Sequence, residues 1–325
     1  MKLVGHKNQW DFLLKAAKLN RLSHAYLFYG WEQIGKKALA VEFVKFLNCS
    51  SEDFSKRPCQ VCRNCQDVQK GVHPDLILIE PEDSQKGIQI SQIRNLIWKI
   101  SLKPYGAAFK VAILDKAHLM TRDSQNCFLK ILEEPKGRAI LILITEYPEV
   151  LLPTILSRVQ KLRFSPVKSA EIENYLKRKG VSRVRAEYFS LLSLGRPGVA
   201  IRFLSNPQQL ENQKKAISDL IKISNSDLSF RFQYAKKLSE ESFGPSENNP
   251  KESLDTWLRY FRDIFLSRLY LTEQGWSEEV GDNILNHYPL SKIRKIIKLL
   301  QSTKFLISTT NINPKLAFEI LLMEM

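Results

Sequence analysis

Four short aliphatic runs constrain this chain more than any other feature: AYLFYG from Ala25, DLILIE from Asp75, KVAILD from Lys110 and AILILIT from Ala139. They barely alternate polar with apolar, so as strands they must be buried on both faces, which a parallel sheet covered by helices on either side provides. Between them stand KKALAVEFVKFL, ISQIRNLIWKI and SQNCFLKILEE, whose apolar residues recur at helical spacing. The alternation predicts a doubly wound α/β domain over residues 1–166.

Beyond that point the strand pattern stops. Residues 168–205 read as three short helices, with Gly180 and the GRPG turn at 195–198 as stops and Pro197 suited to a first helical turn. From about 211 the chain reads as helical again, interrupted by FGPSENNP at 243–250, whose Gly, Pro, Ser and Asn favour a loop. LDTWLRYFRDIFLSRLYL and LSKIRKIIKLLQSTKFLI carry apolar residues at roughly helical spacing. The expected architecture is therefore α/β plus α in three parts: the α/β domain, a small helical domain at 167–208, and a C-terminal helical domain at 209–325.

The first run opens into GWEQIGKK, the Gly-x4-Gly-Lys frame of a phosphate-binding loop formed by Gly30, Gly35 and Lys36. In a working loop the backbone amides cradle phosphates, the lysine reaches the terminal phosphates and the next hydroxyl binds magnesium. Lys37 takes the place of that hydroxyl, a cation where magnesium needs an oxygen. The third run ends on Asp115, as a magnesium-holding strand should, but Lys116 follows, and an ammonium cannot activate an attacking water. An ordinary strand-to-helix turn would also explain the loop residues; an aspartate closing a second strand favours the nucleotide-site reading.

Cys49, Cys59, Cys62 and Cys65 follow the spacing C-x9-C-x2-C-x2-C, and the insertion SSEDFSKRP is too polar to pack by itself. Four thiolates so placed suit a tetrahedral structural zinc with no open position for water; thiols buried without metal are the alternative. His73 lies near enough to compete for a ligand position, and Cys49 is favoured over it. Cys127, on SQNCFLKILEE, reads as a core residue, and His24 and His118 read as structural because neither has a matched nucleophile or ligand spacing.

Forty-nine lysines and arginines against 34 acids leave a net charge of +15, which favours contact with a polyanion, nucleic acid first, over a merely basic soluble protein. Arg94, Lys99 and Lys103 are candidate phosphate contacts, although a solvated helix face explains them equally well. The start MKLVGHKNQWDF has no apolar signal region and AILILI is too short to span a bilayer. A cytoplasmic protein without membrane attachment is expected, its thiols reduced.

Taken in order, HAYLFYGWEQIGKKALA, the cysteine cluster, PDLILIEPE, KVAILDKAHLMTRDSQNCFLKILEEP, LILITEYPEVLLPTILSRVQKLRF and LGRPGVA resemble the delta-prime subunit family of bacterial DNA polymerase III clamp loaders. The likeness spans residues 1 to about 205; the tail is similar to the family's collar domain by length and pattern only. It implies an AAA+ module with an inserted zinc module, a helical lid and a collar. It also implies membership of a five-subunit ring, with gamma/tau ATPase and delta subunits, that places a sliding clamp on primer-template DNA in replication. Gly30, Gly35 and Lys36 then match the Walker A motif, Asp115 the Walker B, Thr145 the first sensor, and Ser157 with Arg158 the Ser-Arg-Cys motif, whose arginine reaches a neighbouring subunit's ATP.

On local sequence alone, Arg158 equally suits a cap for a helix over EVLLPTILSR. Trp31, Gln33, Lys37, Lys116, Val159 and Gly198 depart from the family pattern, Gly198 standing where active relatives carry the second-sensor arginine. The resulting expectation is a largely non-hydrolysing subunit that scaffolds the ring and lends Arg158 in trans, with binding of ATP and magnesium at its own degenerate site left open. An ATP-hydrolysing AAA+ motor is the alternative, and a zinc-stabilised nucleic-acid binding module without ring partners is a third.

Overall fold

The computed structural model describes residues 3–82, 87–135, 137–206, 208–241, 250–269, 288–310 and 312–325. Most of the loop expected at 243–250 and the last two residues of the helix expected to end at 271 lie outside them.

The chain divides into two compact units, Met1–Lys179 with Gly195–Gly198, and Gly180–Leu194 with Val199–Met325. In the first, five strands lie in the order β2-β3-β4-β1-β5: β1 (Ala25–Tyr29), β2 (Leu76–Ile79), β3 (Lys110–Leu114), β4 (Ala139–Thr145) and β5 (Gln160–Arg163). All pairings are parallel, with Leu27 of β1 opposite Leu143 on one side and Lys161 on the other. Helices α1 (Lys7–Lys18), α2 (Lys36–Asn48), α3 (Arg63–Lys70), α4 (Ile90–Ser101), α5 (Arg122–Glu133), α6 (Pro153–Leu156) and α7 (Ser169–Arg178) complete the unit.

Both faces of the sheet are buried, and successive residues of one strand serve different cores. Ala25 and Leu27 join Ile93 and Leu96 of α4 and Phe128 of α5, while Tyr26 and Phe28 join Leu13 of α1, Phe43 of α2 and Val68 of α3. This explains why the strands read as unbroken aliphatic runs. The fifth strand is the exception. Its sequence QKLR buries Leu162 alone, and on a sheet edge the exposed charges discourage pairing with another chain. No aliphatic run announces it.

Because every strand runs the same way, their carboxyl ends share one edge, where open α/β sheets place their ligands. Gly30 follows β1, Glu80 follows β2, Asp115 follows β3, and Thr145 closes β4. Gly30 adopts φ 145, and a β-carbon there would lie 2.4 Å from the carbonyl oxygen of Phe164. Only glycine lets the chain leave the sheet at this point.

The second unit is helical: α8 (Arg183–Leu192), α9 (Pro197–Ser205) from Val199 onward, α10 (Gln208–Ser224), α11 (Leu228–Glu241), α12 (Pro250–Arg268), and the helices Leu290–Thr309 and Pro314–Met323. Trp257 is wholly buried there and donates its indole N–H to the Ala216 carbonyl at 2.8 Å, so its polar edge is satisfied inside the core. Among the described residues no helix is long and apolar enough to cross a membrane.

Gly30→Ala is expected to destabilise the chain by about 1–3 kcal/mol through backbone strain and collision. Denaturant titration checks this, and an unchanged midpoint would contradict the close approach to Phe164.

Candidate functional site

The loop between β1 and α2 is closed by its own groups. The N–H of Gly30 reaches the Thr145 carbonyl at 3.3 Å, and Gly35, at φ 111, turns the chain into α2. Lys36 is buried and bends back, its ammonium donating to the carbonyls of Gly30 at 2.6 Å and Trp31 at 2.5 Å. His6 shares a hydrogen bond between Nε2 and the Ile34 carbonyl at 2.8 Å. Burial lowers its pKa against the opposing pull of that bond.

Gly198, early in α9, donates its N–H to the Gln33 carbonyl at 2.9 Å, and a β-carbon at 198 would lie 2.7 Å from that oxygen. The backbone of 198 therefore touches the loop directly. No larger side chain fits at this position unless the two separate.

Lys37 supplies the site's main electrostatic feature. Its ammonium hydrogen-bonds Glu80 and lies 3.3 Å from Asp115 Oδ2, so it sits between carboxylates at the ends of β2 and β3. Burial depresses its pKa, but the hydrogen bond to Glu80 and the charges of both carboxylates outweigh this and raise it. Lys37 thus stays an ammonium through the neutral range. Glu80 escapes the sequence reading, since one acid after a strand belongs to no motif.

Asp115 also accepts the backbone N–H of Lys116 at 2.9 Å. Lys116 itself is exposed in a left-handed conformation, φ 54. Thr145 is buried; its hydroxyl accepts the Tyr147 N–H at 3.0 Å and shares a hydrogen bond with His118 Nδ1 at 3.1 Å. His118 also meets the Tyr147 ring edge-on. The histidine expected to be structural is therefore a direct partner of the candidate sensor.

Arg158 is exposed, just past α6. Its Nη1 donates to the Thr154 carbonyl at 3.0 Å, and its Nη2 lies 3.0 Å from Glu133 Oε1. The helix expected over EVLLPTILSR is shorter, Pro153–Leu156, preceded by a single turn at Pro148–Val150. A capping bond and an outward guanidinium coexist.

The sulfurs of Cys49, Cys59, Cys62 and Cys65 all lie within 4.8 Å of one another and can hold a metal ion. A tetrahedral ion with sulfur at about 2.3 Å needs sulfurs about 3.8 Å apart, within that bound. The chain also aims donors at the sulfurs: Cys59 N–H to Cys49 at 3.5 Å, Cys62 N–H to Cys59 at 3.3 Å, and Cys65 N–H to Cys62 at 3.4 Å. Burial pushes the Cys62 thiol up, but the N–H groups of Ser50 and Cys65 prevail and bring its pKa to about 6. His73 lies outside the cluster, its Nδ1 accepting the Asp75 N–H at 3.1 Å.

One helix joins the two places. α2 begins at Lys36 and is capped at its carboxyl end by Cys49. Near that end the fully buried Lys45 binds Glu42 at 3.0 Å, Gln60 at 3.1 Å and Gln69, pinning the cysteine-bearing loop and α3 to the helix. A cleft of about 430 Å³ lined by Ser23, His24, Phe54 and Arg57 lies at the amino ends of the strands, away from the loop and Lys37.

Strand order β2-β3-β4-β1-β5, a Gly-x4-Gly-Lys loop after β1 and an aspartate after β3 define a P-loop α/β module. The profile of the family described as "DNA polymerase III, delta subunit" matches residues 5–168. The chain belongs to that family, with the delta-prime clamp-loader subunits. It is 29% identical over 317 residues to the DNA polymerase III subunit delta' of Bacillus subtilis, covering 96% of this chain and 94% of that one. The subunit delta' of Pseudomonas aeruginosa is 39% identical over 152 residues, 46% of either chain. Among solved structures, a DNA polymerase III gamma subunit-related protein of Thermotoga maritima aligns over 97% of both chains at 19% identity and a TM-score of 0.43.

Chelation of the reduced protein should lower its melting temperature and make the buried Cys65 titratable by a thiol reagent. Unchanged melting and reactivity would show that no metal holds the cluster.

Proposed function

We propose that this chain is a delta-prime-type subunit of the DNA polymerase III clamp loader that does not hydrolyse ATP itself and lends Arg158 to the ATP site of a neighbouring subunit. The observation that carries the reading is the ammonium of Lys37 between Glu80 and Asp115. Magnesium would need carboxylate oxygens here, and an ammonium already pairs with both, offsetting one of their two negative charges. Like charge in the same few ångströms disfavours the divalent ion further.

Other contacts support the same conclusion. Lys36 donates to loop carbonyls, the groups a phosphate would find turned away from it, and the Gly198 N–H donates to Gln33. Lys116, next to Asp115, puts no carboxylate where a water-activating base is needed. Hydrolysis thus finds its metal ligands already paired with Lys37 and no carboxylate after Asp115, with Gly30, Gly35 and Lys36 in a loop closed by its own groups beside Asp115 and Thr145.

In the proposed ring the chain works with gamma/tau-type ATPase and delta subunits, a sliding clamp and primer-template DNA. Its basic charge suits the last of these. A guanidinium is permanently charged and forked, so it can neutralise charge on a transferring phosphoryl group across an interface. Arg158, exposed just past α6 with its guanidinium on the Thr154 carbonyl, suits that role. The cysteine cluster is proposed to hold structural zinc through Cys49, Cys59, Cys62 and Cys65, and the helical residues beyond 166 to form a lid to 208 and an oligomerising collar from 209.

Titration of the isolated chain with Mg·ATP is expected to show no turnover. Phosphate release abolished by Lys36→Ala would instead establish an ATPase. In a reconstituted loader, Arg158→Ala should leave assembly intact and reduce DNA-stimulated turnover at the facing site by on the order of 10³-fold; normal turnover would remove the trans role. Metal analysis should find about one zinc per chain. Tight DNA binding by the chain alone, without association with loader subunits, would favour a nucleic-acid binding module.

A further inference from the structure

Arg158 meets one backbone carbonyl and two side chains at its surface position. Its Nη1 donates to the Thr154 carbonyl at 3.0 Å and approaches Ser157 Oγ at 3.5 Å, and its Nη2 lies 3.0 Å from Glu133 Oε1. Glu133 is the last residue of α5, and Thr154 belongs to α6.

The relative placement of the two elements is fixed from below. Phe128, Ile131 and Leu132 of α5 are buried in the same apolar cluster as Ile155 of α6 and Val159. Gln125 of α5 adds a hydrogen bond from the Leu152 N–H at 2.8 Å. Packing of α5 against α6 thus fixes the distance between the two backbones that carry the carboxylate and the guanidinium.

The guanidinium carries five N–H donors. Two nitrogens are engaged, and Nε–H has no protein acceptor among the described residues. With Arg158 37% and Glu133 52% exposed, water screens the pair, and it does little for folding. Its use is orientational: a free arginine samples many rotamers, whereas contacts at Nη1 and Nη2 favour one plane and leave Nε–H for an oxyanion.

We propose that Glu133 is a positioning residue for Arg158, holding the guanidinium so that its unengaged edge can meet the terminal phosphate bound by an adjacent subunit. This rests on the trans-arginine reading above. Glu133 touches no reacting atom and acts only through Arg158.

The test uses the full chain reconstituted with ATP-hydrolysing loader subunits and DNA, comparing Glu133→Gln, Glu133→Asp, Arg158→Ala and the Glu133→Gln/Arg158→Ala double variant. Glu133→Gln should melt like wild type and lose roughly three- to tenfold in kcat with the KM for ATP unchanged, since orientation and not binding is impaired. Glu133→Asp, which keeps the charge on a shorter arm, should recover part of the loss. The double variant should be no slower than Arg158→Ala alone.

Wild-type kcat for Glu133→Gln beside an impaired Arg158→Ala would overturn the positioning role and leave the trans role standing. Additive loss in the double variant, or a change confined to KM, would also overturn it. Wild-type turnover by both single variants would remove the trans role itself.

Discussion

An ammonium held between two carboxylates governs the chemistry of this fold. Parallel strands bring Glu80 and Asp115 to one edge, and the first turn of α2 brings Lys37 between them. The carboxylates raise the lysine's pKa against the cost of its partial burial, so the charge persists at any pH at which the chain is folded near neutrality. Loops of this kind ordinarily leave a vacancy for a metal and an anion. Here Lys37 lies between the two carboxylates at that edge.

The neighbouring groups follow from that. Both lysines are met by the chain's own oxygens, and the Gly198 N–H donates to a carbonyl of the loop. Sequence comparison alone casts Gly198 as an arginine gone missing. The backbone adds a steric reason: a β-carbon there would lie 2.7 Å from the Gln33 oxygen.

Much of the α/β unit was legible because strands buried on both faces leave unbroken aliphatic runs, and the loop and cysteine cluster were legible because their chemistry needs fixed spacings. β5 was not, since an edge strand with one buried residue carries no such signal. Glu80 and His6 were silent for a different reason: each acts on a loop distant in sequence, through contacts that only the folded chain creates. His118 was visible, but its partner was not, since Thr145 lies 27 residues away at the end of β4. Arg158 was visible, and Glu133, 25 residues upstream, was not.

α2 is also a mechanical strut. Thirteen residues at about 1.5 Å each make it roughly 20 Å long, with the phosphate-type loop at one tip and a sulfur ligand at the other. Excising the cysteine insert, as an engineer trimming the chain would be tempted to do, would remove the residue that caps α2 and take Gln60 from Lys45, leaving a buried ammonium to Glu42 and Gln69.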